Sequence, residues 1–428
     1  MKKSKVSIFW FRRDLRLEDN HGLFEALNGV YPVLPVFIFD TNIIDELKAN
    51  DARVSFIYER LLILNEIFEN HSSSLYCKMG KPEDVWKSIL NKYDVQSVYS
   101  NEDYEPYAIS RDKNIEEILR DSDVTYKRFK DQVIFEKGEV LKADQTPYTI
   151  YTPYKNKWLE KFECTELKHF NSEICDNFFK ESLTLPVLSE IGFTQSKIKV
   201  PNYNLDCLEE YELHRNYPAL DKTSHLSPHL RFGTISIREI VQEAKVNPAF
   251  LNELIWREFF MQILYHFPHV VHTNFKRKYD GIQWRNNNDE FEKWKKGETG
   301  YPMVDAGMRE LNSTGYMHNR VRMVTAGFLC KHLLIDWRWG EAYFAEKLLD
   351  YELASNNGNW QWSAGTGCDA APYFRVFNPT AQIKKFDSNL SYIKKWIPDL
   401  DSMNYPEPIV EHRMARERAI RAYKEGIQ

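Results

Sequence analysis

The most restrictive feature of this chain is a change of rhythm. Over the first 135 residues short apolar runs alternate with amphipathic helical patterns, and beyond residue 203 only the helical period remains. VSIFWF (6–11), VLPVFIF (33–39), SLYCKM (74–79), QSVYSN (96–101) and TYKRFKDQVIF (125–135) have the length and composition of strands. Four helical patterns lie between them. The clearest spans 52–70, with Ile57, Leu61, Leu64, Ile67 and Phe68 on one stripe, and Pro82 presets the backbone at the start of the next. Strands separated by helices run parallel, with helices on both faces of the sheet. The expected fold is α/β plus all-α: a Rossmann-like, doubly wound, five-stranded parallel sheet over residues 1–135 and a helical domain over 203–428.

Residues 136–202 read as a Thr-, Tyr-, Lys- and Pro-containing connector, too long for an ordinary loop. In the helical half, ISIREIVQEAK (235–245), AFLNELIWREFFMQILYHF (249–267), MVDAGMRELNSTG (303–315) and HNRVRMVTAGFLCKHLLI (318–335) carry apolar residues at three-to-four spacing. A length of 428 residues suits two or three such domains. The first strand is not followed by GxGxxG, so no dinucleotide fingerprint marks a nucleotide site.

No run of eighteen apolar residues could span a bilayer, and Arg12 and Arg13 interrupt the opening too early for an export signal. The six cysteines, Cys77, Cys164, Cys175, Cys207, Cys330 and Cys368, show no paired or metal-ligand spacing. A cytoplasmic monomer without disulfides, zinc or membrane contact is expected. The net charge is -5, so any nucleic acid must be held by a local basic patch and not by the overall field.

The segment DYELASNNGNWQWSAGTGCDAAPYFRVFNPTAQ (350–382) concentrates small, amide and aromatic residues. By composition it is either a core crossing or a cofactor wall. Together with TGYPMVDAGMRELNSTGYMHNRVRM (299–323), ELIWREFF (253–260), TSHLSPHLRFG (223–233) and FWFRRDLRLEDN (9–20), it closely resembles the photolyase and cryptochrome family. The motifs stand in the family's order over nearly the whole chain, and the resemblance is to its class I branch for cyclobutane pyrimidine dimers.

The resemblance implies FAD in the helical domain, active as FADH-, with its pyrophosphate on Thr223, Ser224, His225, Leu226 and Ser227. Hydroxyls and free N–H groups before a helix suit such an anion, although the same segment read alone is equally a capping segment. His225 replaces the family's usual Arg. Tyr211, Arg322, Asp350, Tyr351 and Glu352 are the further cofactor residues implied, with Arg322 paired to Asp350. Glu352 stands where Asp is common. Asn356 falls opposite flavin N5, where a neutral amide accepts from N5–H; an ionisable residue there would couple reduction to its own protonation. Trp360, Trp337 and Trp284 match the family's electron-transfer triad, and Trp362 could extend it.

The implied partner is UV-damaged DNA, held by Arg215, Glu253, Trp256, Asn319, Arg320, Met323 and Gln382. Trp256 offers a stacking wall, Glu253 an acceptor for thymine N3–H, Asn319 a partner for a carbonyl and Arg320 a phosphate clamp. The plain alternatives are a Glu253–Arg257 helix ion pair and a solvated face bearing Arg320 and Arg322. Asn319 stands where enzymes for the (6-4) photoproduct usually carry His, which favours the cyclobutane lesion over the (6-4) product. A cryptochrome-type sensor is the runner-up, weakened by the short sequence after Lys424. A light-independent flavin oxidoreductase lacks a nicotinamide signature. The resemblance also allows a second, antenna chromophore on the N-terminal domain, a folate or a deazaflavin. Tyr107 and Ala108, within 101–112, do not reproduce the polar pair of a folate site, so its identity stays open.

Overall fold

A computed structural model of the chain describes residues 3–174 and 176–427. Its contacts divide the chain into two compact units made of interleaved segments. Met1–Glu139, Glu160–Tyr203 and His225–Lys245 form the first; Val140–Leu159, Asn204–Ser224 and Val246–Gln428 form the second. The stretch 136–202, read as a connector, is thus divided between both units.

The first unit holds β1 Lys5–Phe11, β2 Val33–Asp40, β3 Tyr76–Gly80, β4 Asp94–Asn101 and β5 Thr125–Phe129. All neighbours pair in parallel in the order β3-β2-β1-β4-β5, which is the expected doubly wound sheet. The two-residue period sends alternate side chains to opposite faces. Phe9, Phe11, Phe37 and Phe39 join Leu61, Leu64 and Phe68 in one core, while Val6, Ile8, Trp10, Leu34, Val36 and Ile38 join Trp86, Ile89 and Ile115 in another. Burial on both faces is why these strands read as near-continuous apolar runs. The helix Ala52–Asn70 has the expected bounds, and Asp51 caps it by accepting the Arg53 N–H at 2.8 Å.

Two features depart from the sequence reading. The last strand ends at Phe129 instead of residue 135, and the segment 225–245 clusters with the first unit instead of the helical half. A buried ion network lies at both places, alongside Phe232 in the sheet core and the Leu15 N–H on the Phe232 carbonyl at 3.0 Å. Arg16 Nη2 donates to both oxygens of Asp131 at 2.8 Å, Arg238 Nη2 reaches Asp131 at 2.9 Å, and Arg238 Nε reaches Asp19 at 2.8 Å. The Ser236 hydroxyl also donates to Asp19. Burial alone would raise the Asp131 carboxyl, but the two guanidinium ions outweigh it and hold the carboxyl below its ordinary range. Strand pairing ends where β4 ends, with Asn101 opposite Phe129, and Asp131 just beyond turns inward to Arg238 of the helix Ile237–Glu243.

The second unit is helical, as expected. Its main elements are Pro248–His266, Pro302–Thr314, Asn319–Gly327, Trp337–Lys347, Leu353–Ala364, Pro379–Phe386 and His412–Gly426. The pattern expected as one helix over 318–335 is instead Asn319–Gly327 followed by a π-helical turn, Phe328–His332. That wider turn brings the buried Lys331 amine to the Ala364 carbonyl at 2.6 Å, where it closes the end of Leu353–Ala364. Among the described residues, Cys77, Cys164, Cys207, Cys330 and Cys368 are free thiols, while Cys175 lies outside them. Among the described residues no helix is long and apolar enough to cross a membrane, and no three His, Cys, Asp or Glu side chains are grouped to hold a metal.

The ion network gives a direct test. Asp131→Ala leaves two buried guanidinium ions short of an acceptor and should destabilise the protein by about 3–5 kcal/mol. Urea denaturation followed by circular dichroism measures this, and an unchanged midpoint would mean that the charges find water.

Candidate functional site

The expected cofactor and DNA residues that fall in the second unit form one connected neighbourhood, built outward from Arg322. Its guanidinium donates to both oxygens of Asp350 at 3.1 and 2.9 Å and through Nε to the Met317 carbonyl at 2.7 Å. The carboxylate side chain is nearly buried, at 6% exposure, so the fork is held in low dielectric. Burial works against the guanidinium charge, but Asp350 prevails and raises the Arg322 pKa. The expected Arg322–Asp350 pair is therefore present, and the solvated-face alternative fails for Arg322.

Two residues beyond Asp350, Glu352 precedes the helix Leu353–Ala364 and is buried. It accepts from Arg257 Nη2 at 3.3 Å and from the Ser355 hydroxyl at 2.8 Å. One turn further, Asn356 donates Nδ2 to the carbonyl of Glu341 at 3.1 Å and to its carboxylate at 2.8 Å. Both amide hydrogens are thereby directed toward Glu341, which leaves the Asn356 Oδ1 as the acceptor. Burial raises the Glu341 carboxyl and the hydrogen bond from Asn356 lowers it, with burial prevailing. Nothing in the sequence marked Glu341, which lies fifteen residues from its partner on another helix.

The neighbouring amides do different work. Asn357 Nδ2 and Gln361 Nε2 donate to the Val270 carbonyl at 2.9 and 3.0 Å, and Gln361 Oε1 accepts the Phe275 N–H at 2.9 Å. For these two the core-crossing reading of the segment is correct. Trp360 and Trp337 lie in one buried apolar cluster, with Trp284 half-buried against it. A Cβ at Gly340 would stand 2.1 Å from the Trp360 ring, so glycine is what lets Trp360 lie on the helix Trp337–Lys347. Trp337 Nε1 is held by Asn274 Oδ1 at 2.9 Å, and Trp284 meets the Tyr423 ring edge-on at 5.8 Å. Trp362 is half-buried.

In the phosphate-loop candidate, the Thr223 hydroxyl lies 3.2 Å from the Tyr316 hydroxyl, and Ser224 carbonyl accepts the Asn204 N–H at 2.9 Å. Burial pushes the Tyr316 phenol up to about 12, so it stays protonated. The chain then passes into the first unit: His225 takes a left-handed conformation at φ 50°, Leu226 is buried and Ser227 opens the helix Ser227–Phe232. The N-cap position of that helix is Leu226, whose side chain makes no cap hydrogen bond. Tyr211 stacks its edge on Phe250 at 5.0 Å and carries the Arg215 guanidinium over its ring at 5.1 Å. Tyr351 is half-buried and packs against the apolar cluster.

Of the residues expected to meet DNA, Arg215 and Glu253 are in direct contact. Arg215 Nη2 lies 2.6 Å from Glu253, so these two candidates pair with each other, while Arg257 reaches Glu352. Arg320 donates to Asn216 at 2.5 Å and lies 4.4 Å over the Phe386 ring. Burial and the nearby Arg215 lower the Arg320 pKa, so this guanidinium gains from an anion. Asn319 is exposed and Met323 half-buried; four apart on one helix, they share a face. Gln382 lies on the helix of Phe386 with a buried Oε1 that has no partner. Trp256 is half-buried on the helix Pro248–His266, with one face stacked on Tyr151, a residue the sequence reading left in the connector.

Two family models match this chain. Residues 250–404 match the model of the FAD binding domain of DNA photolyase, and residues 7–172 match the DNA photolyase model. A deoxyribodipyrimidine photo-lyase of Halobacterium salinarum is 37% identical over 98% of this chain and 99% of its own. A class III photolyase from Agrobacterium tumefaciens aligns with TM-score 0.88 and 33% identity over 100% of this chain and 98% of that one. The photolyase from Sulfolobus tokodaii, solved with two FAD molecules, aligns with TM-score 0.83 and 37% identity over 98% of this chain and 100% of that one. With two separate models matched in order and relatives similar along their full length, the chain belongs to the photolyase and cryptochrome family.

Proposed function

We propose that this protein is a light-dependent DNA repair enzyme, a deoxyribodipyrimidine photo-lyase, that splits cyclobutane pyrimidine dimers as a cytoplasmic monomer. The observation that carries the proposal is the conjunction, in one unit, of an oriented amide at Asn356, a clamped cation at Arg322 and a stacking wall beside two further arginines. The donor set suits a flavin: Asn356 Oδ1 offers an acceptor for a ring N–H, Arg322 a fixed positive charge, and Thr223 and Ser224 hydroxyls for a pyrophosphate. His225, Leu226, Ser227, Tyr211, Asp350, Tyr351 and Glu352 complete the proposed FAD set. When bound in reduced form, FAD supplies on blue-light excitation the electron that opens the dimer and recovers it afterwards.

The protein's own groups bind and orient. Photolyases are themselves a standing example of enzymes that take their target out of the base stack, and damage lowers the cost of doing so. Trp256 then stacks on the exposed dimer, Glu253 accepts thymine N3–H, Asn319 meets a carbonyl, and Met323 and Gln382 line the site. Arg215 and Arg320 hold backbone phosphates. The Arg215–Glu253 pair is half-exposed, at 25% and 35%, and therefore weak enough to exchange for DNA contacts. Asn319 cannot deliver and recover a proton, which favours the cyclobutane lesion over the (6-4) product. Trp360, Trp337 and Trp284 supply oxidisable indoles from buried to half-exposed positions.

The first unit offers a place for a second chromophore. Ligands in doubly wound sheets bind at the carboxyl ends of strands where the order reverses, here between β1 and β4. Arg12 follows β1 there, and its Nη1 pairs with Asp112 at 2.5 Å, while Asp40 closes β2 and accepts from the Tyr107 hydroxyl at 2.5 Å. The relative from Sulfolobus tokodaii holds two FAD molecules. Absorbance of the purified protein beyond that of one flavin would identify the second group.

Reduced protein under blue light, given one oligonucleotide with a cyclobutane thymine dimer and one with a (6-4) photoproduct, should repair only the first. Repair of the second would overturn the reading of Asn319, and repair of neither with FAD bound and photoreduced would leave a cryptochrome-type sensor. Trp360→Phe should impair photoreduction of oxidised flavin yet leave repair intact after chemical reduction. Asn356→Asp places a carboxylate beside Glu341, so one of the two must hold a proton. Flavin photoreduction in that variant should acquire a dependence on pH that the wild type lacks, as followed by absorbance.

A further inference from the structure

Trp256 does not stand alone. The ring of Tyr151 lies face to face with it, centroids 3.6 Å apart and planes 8° from parallel. Tyr151 is buried, and three tethers fix it. Its hydroxyl donates to the Asn252 carbonyl at 2.8 Å, its backbone N–H donates to Asp369 Oδ2 at 3.0 Å, and its ring meets Phe259 edge-on at 5.8 Å. Asn252 lies one turn before Trp256 on the same helix, so the tyrosine grips that turn at both the carbonyl and the indole. Phe260, with its ring 5.3 Å from the indole, packs in turn on Gly358, where an added Cβ would stand 2.2 Å from the Phe260 ring. Trp256 nonetheless keeps exposed surface.

We propose that Tyr151 is a positioning residue for damaged-base recognition: it covers one face of Trp256 and locks the indole so that the extruded lesion stacks on the surface left open. The proposal rests on the repair function given above. An unsupported indole on a half-buried helix face can turn about two side-chain bonds, and binding must then freeze it. A face already stacked removes that freedom before the lesion arrives, which is preorganisation in the ordinary sense. The near-parallel stack supplies the rigidity, and the hydroxyl on Asn252 sets its register along the helix. The role belongs to the aromatic ring first, so phenylalanine should serve and an aliphatic residue should not.

The test uses full-length protein with FAD bound, and compares wild type, Tyr151→Phe and Tyr151→Leu, each alone and with Trp256→Ala. Affinity is measured for UV-irradiated and undamaged forms of one oligonucleotide, alongside FAD content and repair at saturating substrate. Tyr151→Leu should weaken binding of damaged DNA about tenfold, the scale of one base–aromatic stack, with binding of undamaged DNA and FAD content unchanged. Saturated repair should be unchanged, so the loss appears in KM and not in kcat. Tyr151→Phe should restore wild-type discrimination, and with Trp256→Ala present Tyr151→Leu should add nothing. Equal loss for damaged and undamaged DNA, loss of FAD, or a further loss on top of Trp256→Ala would each overturn the proposal. If the wild type itself fails to discriminate, the repair reading falls and takes this one with it; if it discriminates and Tyr151→Leu does too, only the role of Tyr151 falls.

Discussion

The fork between Arg322 and Asp350 joins two stretches of chain that carry different chemistry. Arg322 lies on the helix that begins with Asn319 and Arg320, and Asp350 lies just before the helix that carries Asn356 and Trp360. A third donor, Arg322 Nε, is held by the Met317 carbonyl, so the guanidinium is fixed at its own helix start as well. Taking such a pair out of water returns little net stability, and what it secures is distance and angle. Residues expected to touch DNA and residues expected to touch a flavin are thereby kept in fixed register by a single planar contact, for which lysine would be a poor substitute.

The electrostatics of this neighbourhood reinforce one another. The chain is acidic overall, yet Arg215, Arg320 and Arg322 all act on His318. Burial, then Arg320 and Arg322, pull the His318 pKa down to about 4. A neutral ring is what the local structure needs, because His318 Nδ1 accepts the Arg320 N–H at 3.1 Å and so caps the helix Asn319–Gly327. A protonated imidazole has no lone pair to give. The cations that suit an anionic partner thus also protect the cap that holds Asn319 and Arg320 in place.

How much of this could be read in the sequence depended on how local each cause was. The helix Ala52–Asn70 was legible because its stripe and its capping Asp51 lie within one short segment. The end of β5 was not, because it is set by the end of β4 at Asn101 and followed by Asp131, whose partners Arg16 and Arg238 lie 115 and 107 residues away. Asn356 and the Arg322–Asp350 pair came from motif resemblance. Glu341 and Tyr151 carried no signal: a lone Glu on a mixed helix and a Tyr among several in a connector look ordinary until the chain brings their partners to them. The amide-rich run 356–361 shows a further limit, since Asn356 is set apart from Asn357 and Gln361 only by the direction in which each side chain points. The finer subclass stands likewise beyond motif spacing, for the class I resemblance coexists with structural likeness to a class III enzyme.

The interleaving of the two units has a consequence for how the protein is made. Asp19 and Asp131 emerge from the ribosome early, but Arg238 and Ser236 follow more than a hundred residues later, and the first unit is incomplete until residue 245 has been synthesised. Residues 140–159 wait longer still, since the rest of their unit begins at 204 and resumes at 246. Folding of the first unit during translation therefore cannot be completed before residue 245 has emerged, and until then the nascent chain carries uncovered apolar surface. Genetic splitting at any single site would sever one unit or the other, so fragments of it should depend on co-expression to assemble.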